Sequence, residues 1–481
     1  MPKSRRSFGA LLLACILVAA LCAACGNRHS HQELMAAAQG SGGSGELSQT
    51  GANGGAGDAG SADAQQAAGA AGAGGGAAAS TASGSGRAGS SGASGSGPAG
   101  SSGASTGAGA GGSGAASQGA PIIIGSVGTQ SGIVGASISD GTRSLQAWAS
   151  GVNAQGGIKG HRVQVIVGDD GGDPSRHQQL IQQFVEEKHV AAFVYNSAPL
   201  SGQSSVQYLT QKRVPVIGSE LGGQWFYTSP MFFPQTSSGL ALTYVNIAGI
   251  AGYLVPKGKT KVATLTCEEA QFCTDANRIW PQQAPTVGFQ VVSQGRASLA
   301  QPDFTSECLS AKNANAQVLL MAMDTNSVGR VASSCARVDF HPVLSFATTV
   351  TVDRMKSDPN LGGAILALPL APWFQSSVPD VAQYQDTMAR YSPGNLPTAS
   401  GENGWAAAKL FELAESRASD PTTSAGVLDG LWSIKNETLG GLIPSTTFTR
   451  DQNAPEVKCW TVVVITGGQF TAPDGSQMHC A

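Results

Sequence analysis

The sequence predicts an α/β protein built on two parallel sheets, one in each of two lobes, preceded by a long segment that does not fold. Three observations lead there. Short β-rich apolar runs alternate with helical patterns from Pro121 onward, which argues for parallel strands covered by helices. That alternation runs twice, with a helical stretch from about Leu240 to Leu254 between the two series. A large share of the 65 glycines lies before residue 120, in a stretch too poor in apolar bulk to offset the entropy of ordering its backbone.

Residues 1–25 read as an export signal. A cationic start (Lys3, Arg5, Arg6) precedes an apolar run from Phe8 to about Leu21, shorter than the roughly 20 residues that a membrane helix needs. The end, Leu21-Cys22-Ala23-Ala24-Cys25-Gly26, resembles a bacterial lipobox, which implies acylation of Cys25 and a cell-membrane anchor facing the periplasm or the exterior. Cys22 departs from the pattern, where a larger aliphatic residue is usual. Residues 26–120 then form a disordered Gly/Ala/Ser tether, a coil spanning about 50 Å. No later stretch reads as a transmembrane helix.

The folded part opens with an apolar strand, Ile122 to Val127, followed by a helix from about Ser139 to Asn153 that Gln155-Gly156-Gly157 stops. Strand Val163 to Val167 leads through Asp169-Asp170-Gly171-Gly172-Asp173-Pro174 into a helix from Ser175 to Glu187, with Asp173 as its N-cap and Pro174 in its first turn. Strands at Ala191 to Tyr195 and Val214 to Ile217 close the first series. The second has strands at Lys261 to Thr266, Phe289 to Ser293, Val318 to Met323 and Val343 to Phe346, with helices at Asp275 to Gln283, Phe304 to Lys312 and Ser327 to Val338. In such sheets ligands bind beyond the carboxyl ends of the strands. Two lobes whose strand tips face each other enclose a cleft that closes by hinge motion.

Composition excludes several functions. Charged residues make up 12% of the chain and the net charge is −3; without the three basic residues at the start, the remainder carries about −6. There is no basic stripe for nucleic acid. The folded part has no Gly-x-Ser-x-Gly elbow, no His-Glu-x-x-His and no phosphate-binding Gly-rich loop with Lys. Its histidines (His161, His177, His189, His341, His479) are scattered without an evident acid partner. Asp169, Asp170 and Asp173 lack the spacing of a calcium loop. The reading is a non-enzyme with no cofactor and no metal.

The stretch Val152-Asn153-Ala154-Gln155-Gly156-Gly157-Ile158-Lys159-Gly160, with Asp169-Asp170 and Asp173-Pro174 following, resembles the opening of type I periplasmic binding proteins of the branched-chain amino acid group. These are the substrate-binding subunits of ABC importers. The resemblance runs thinly over 121–480. It implies two Rossmann-like lobes joined by a three-stranded hinge, with crossovers near Phe233 to Thr236, Leu366 to Leu370 and Leu439 to Pro444. Lobe one is then 121–235 plus 371–438, and lobe two 236–370 plus 439–481. The implied function is capture of a small polar molecule, an amino acid or a related amide or organic acid, for delivery to permease subunits. A sensor presenting its lobes to a receptor and a structural envelope lipoprotein with a vestigial cleft are the alternatives.

The resemblance also implies the ligand contacts. Carboxylate-holding loops match Asn196 to Ser201, with Ser197 and Ser201 as hydroxyls, and Gly218 to Gly223, where Glu220 and Gly222 fall at contact positions. Gly222 brings no hydroxyl. Phe272 matches an aromatic platform, and Asp324-Thr325 stands where a second aromatic is usual. The loop that usually carries an acid for the ligand's ammonium reads Ala347-Thr348-Thr349; Asp324 or Glu220 would have to substitute. On residue type alone, Phe272 fits core packing and Asp324 a cap.

After Cys25, six cysteines remain, an even number that favours disulfides in an exported domain. They allow 15 pairings. Local order favours Cys267–Cys273, Cys308–Cys335 and Cys459–Cys480, the last clipping two C-terminal strands across Gly467-Gly468.

Overall fold

A computed structural model describes residues 119–132, 134–218 and 223–481. The export signal, Cys25, nearly all of the tether, Glu220 and Gly222 lie outside the described residues.

The first sheet is all parallel, in the order β2-β1-β3-β4-β5, from β1 (Ile122–Gly128), β2 (Val163–Asp169), β3 (Ala192–Val194), β4 (Val216–Ile217) and β5 (Phe232–Phe233). β1 and β3 are buried on both faces, which explains their unbroken apolar runs. Helix α1 (Gly135–Ala154) begins four residues before the sequence reading placed it. Its start, Gly-Ala-Ser-Ile, carries little helical periodicity, and tertiary packing rather than propensity extends it. Helix α2 (Pro174–Glu186) starts as expected: the Asp173 carboxylate accepts from the Arg176 N–H at 2.8 Å, and Pro174 fills the first turn. A short helix α3 (Val206–Lys212) leads into β4.

Helix α4 (Gly239–Leu254) carries the chain to the second sheet. With the turn that follows, the segment Gly239–Lys257 is long and apolar enough to cross a membrane, which corrects the expectation of no such stretch after the signal. It is 67% buried and packs as a core helix against the strands Ile365–Leu368 and Cys459–Thr466. The second sheet runs β7-β6-β8-β9, all parallel, from β6 (Lys261–Cys267), β7 (Gln290–Ala297), β8 (Val318–Ala322) and β9 (Val343–Phe346). Helices α5 (Gln271–Gln283), α6 (Thr305–Asn313) and α7 (Thr325–Arg337) connect them. Beside β9 lies β10 (Ile365–Leu368), which pairs antiparallel with β11 (Cys459–Thr466). β11 then turns into β12 (Gln469–Thr471), and β13 (His479–Cys480) pairs back onto it. Gly467 and Gly468 at the tight turn have φ of 59° and 73°, a conformation that two-residue hairpins demand and glycine supplies.

Between β10 and β11, helices α8 (Pro379–Tyr391), α9 (Ala399–Arg417) and α10 (Ser424–Trp432) return to the first sheet. α8 and α9 pack against α1, and α10 covers α9. Three connecting segments meet side by side. The Thr236 hydroxyl donates to the Pro369 carbonyl, the Ser237 hydroxyl to Val457 O at 2.6 Å and the Thr461 hydroxyl to Leu370 O at 2.7 Å. Within the stretch Leu439 to Pro444, Leu442 O accepts from Ala371 N–H at 3.0 Å. Further on, Phe448 stacks edge-on against Phe233 at 5.0 Å, and Arg213 pairs with Asp451 at 2.8 Å.

The cysteines stand in the three locally ordered pairs, with S–S distances of 1.99 Å for Cys267–Cys273, 1.99 Å for Cys308–Cys335 and 2.07 Å for Cys459–Cys480.

Candidate ligand-binding site

Strand order reverses direction at β1/β3 in the first sheet and at β6/β8 in the second. Loops on either side of such a point diverge and leave a crevice beyond the strand tips. A cavity of about 110 Å³ lies there, bounded by both halves; a single water needs only ~10–15 Å³. From the first half come Val134 and Ile138 at the start of α1, Tyr195 and Pro199 after β3, and Ser400 in the first turn of α9. From the second come Leu242 of α4, the Cys267–Cys273 disulfide with Ala270 and Phe272, and the residues following β8 and β9.

Of the anticipated residues, Phe272 and Asp324 line this cavity. Asp324 also caps α7: its carboxylate accepts from Asn326 N–H at 3.0 Å and Ser327 N–H at 3.1 Å. Thr325 follows it, and its hydroxyl donates to Val350 O at 2.7 Å, fastening the loop after β9 to α7. Thr348 is buried and is flanked by wall residues Ala347 and Thr349. Ser197 is buried between wall residues Tyr195 and Pro199, with no partner for its hydroxyl among the described residues. The Ser201 hydroxyl is committed elsewhere, donating to Asp170 at 2.7 Å.

Asp170 organises that side. It accepts from the Thr129 hydroxyl at 2.8 Å, Gly172 N–H at 2.7 Å and Ser201, and it contacts His177 Nδ1 at 2.8 Å. These hydrogen bonds outweigh burial and hold its carboxyl below the usual range. The ring's Nε2 reaches the Ser205 hydroxyl at 3.1 Å. The sequence reading saw no acid partner for His177; the fold supplies one, through side chains one helical turn or more apart. The Ser-His-Asp arrangement is not an exposed nucleophile, because none of the three is more than 2% exposed. It fastens the loops after β1, β2 and β3 to one another.

Sequence reasoning missed Tyr195 and Ser400. Tyr195 holds φ of 56°, unusual for a bulky residue and common at binding sites. Its backbone is fixed from several sides: its N–H donates to Ile217 O at 2.9 Å and its carbonyl accepts from the Ser126 hydroxyl at 3.0 Å. Its ring lies so close to Gly141 that a Cβ there would sit 2.1 Å from the ring. A glycine inside a helix was the legible signal. The Tyr195 hydroxyl stands 3.3 Å from that of Ser400. Two residues on, Glu402 is wholly buried, and burial drives its carboxyl well above the usual range.

A family profile described as periplasmic binding protein matches residues 121–469. The chain belongs to the periplasmic binding protein family. It is thus a non-enzymatic, extracytoplasmic ligand-binding protein. No curated protein matches the sequence. Among solved structures, a possible leucine/isoleucine/valine-binding protein from Rhodopirellula baltica is similar at 16% identity and TM-score 0.64, covering 74% of this chain and 97% of its own. A fatty acid ABC transporter substrate-binding protein from Thermomonospora curvata is 15% identical, with TM-score 0.62 and coverage of 76% and 94%. The branched-chain amino acid transporter substrate-binding protein LivJ from Streptococcus pneumoniae, in complex with isoleucine, is 15% identical, with TM-score 0.61 and coverage of 75% and 99%. At such identities the likeness of this periplasmic binding protein to them is one of fold.

Proposed function

We propose that this protein is a lipid-anchored solute receptor that closes two lobes over a small organic molecule and delivers it to the permease subunits of an ABC importer. One observation carries the reading: a cavity at the switch points of both sheets, walled by residues from each. Lobe one comprises 121–235 with the segment from 371, and lobe two comprises 236–370 with the C-terminal strands. The third crossing lies near Val457 to Cys459 rather than Leu439 to Pro444, a placement supported by the Phe448 and Asp451 contacts. Phe272, Asp324 and the Ala347–Val350 loop serve as ligand walls. Ser197, Thr325 and Thr348 hold those walls from behind, and Ser201 does so through Asp170. Cys25 carries the anchor, so Cys25→Ala moves the protein from the membrane to the soluble fraction.

The test is a thermal-shift screen of the mature protein against amino acids, amides, fatty acids and small alcohols, since a ligand of the folded state raises stability by mass action. Ala270, half-buried at the cavity wall, is changed to Trp in parallel. Ala270→Trp abolishes the shift, and a cooperative melt of the unliganded variant checks that it still folds. An undiminished shift in that variant moves the site elsewhere. Silence across the whole panel favours a structural envelope protein.

A further inference from the structure

Resting on that reading of the site, we infer that the ligand is an uncharged, mainly apolar molecule rather than a zwitterionic amino acid. The walls decide this. Val134, Ile138, Leu242, Phe272, Leu299 and Met323 present hydrocarbon, ring and thioether, and the Cys267–Cys273 bridge presents sulfur. Among the described residues lining the cavity, none is cationic and one is anionic, Asp324. Its charge is already answered. Both of its oxygens accept backbone N–H groups at the positive end of α7, and only 5% of the residue is exposed. An ammonium closed into this space would lose its water shell and meet a carboxylate committed to its own helix. A ligand carboxylate would meet no Lys or Arg there. The remaining polar groups, the Tyr195, Thr349 and Ser400 hydroxyls, suit one neutral hydrogen-bonding head.

A series with one shared hydrocarbon body isolates the head group: leucine, 4-methylpentanoate, 4-methylpentanamide and 4-methylpentan-1-ol, titrated calorimetrically into the mature protein at pH 7. The amide and the alcohol bind at least roughly tenfold more tightly than leucine, the scale of an uncompensated buried charge. Tightest binding by leucine or by 4-methylpentanoate overturns the inference and leaves the binding role standing. Failure of all four, together with silence in the wider screen, overturns both. A second arm adds the missing charge. Thr349→Asp places a carboxylate in the wall and shifts preference toward leucine by tenfold or more relative to the alcohol. An unchanged preference in that variant overturns the assignment of the ligand to this cavity.

Discussion

Glu415 offers a direct test of how burial controls ionisation in this fold. It lies near the end of α9, 0% exposed, and neither carboxylate oxygen has a hydrogen-bond partner among the described residues. Burial pushes its carboxyl from 4.5 up to about 8; Lys159 opposes this in part, and Asp420 adds to it. The direction for stability follows from proton linkage. Below pH 4.5 both folded and unfolded chains hold the proton, and the group costs nothing. Between 4.5 and 8 the unfolded chain ionises while the folded chain does not, so stability falls as pH rises. At ~1.36 kcal/mol per pH unit, the loss reaches about 3 kcal/mol at pH 7 and about 5 kcal/mol above pH 8. Glu415→Gln removes the titration. With an unfolding entropy of about 0.75 kcal/mol/K for roughly 360 folded residues, 3 kcal/mol raises Tm by about 4 °C. Scanning calorimetry of both proteins at pH 4.5, 7 and 8.5 gives a gap near zero at the lowest pH that widens steadily. A gap independent of pH, or a less stable Gln variant at pH 8.5, refutes the reasoning.

Two further outcomes are expected. Gly141→Ala forces Tyr195 out of its place, because the new Cβ would lie 2.1 Å from the ring; it costs about 1–3 kcal/mol and weakens ligand binding, whereas Gly151→Ala, whose nearest neighbour is at 3.4 Å, is neutral or stabilising by up to about 1 kcal/mol. Thermal melts and calorimetric titration of the pair check this. Asp170→Asn breaks a buried charged network and costs about 3–5 kcal/mol at pH 7. Because the wild-type carboxyl is held low, its contribution is present above pH 3.8 and fades as pH falls further, so the two melting temperatures converge in acid.

Much of the fold was legible because it rests on local chemistry. The apolar runs of β1 and β3, the Asp173-Pro174 start of α2 and the paired glycines of the β11–β12 turn each state their conformation within a few residues. The site was legible only in part. Asp324 caps the helix that follows β8 and Phe272 lies in the first turn of the helix that follows β6, where a βα connection must expose something to the crevice. Tyr195 and Ser400 are 205 positions apart, and no local pattern announces that their hydroxyls meet. His177 looked unpartnered for the same reason: Ser205 reaches it only when α2 packs against the turn at 202–205, and Asp170 meets it across the start of α2.

By itself the sequence determined the order of strands and helices, the doubled α/β rhythm and the low charge of the folded part, since these follow from periodicity and residue type. Tertiary structure alone decided what faces the cavity. Which side chains line a cavity depends on how two sheets twist and where their tips come together. That geometry turned a loop expected to offer hydroxyls into one whose Ser201 is bound to Asp170, and it assembled the wall from hydrocarbon contributed by both halves of the chain.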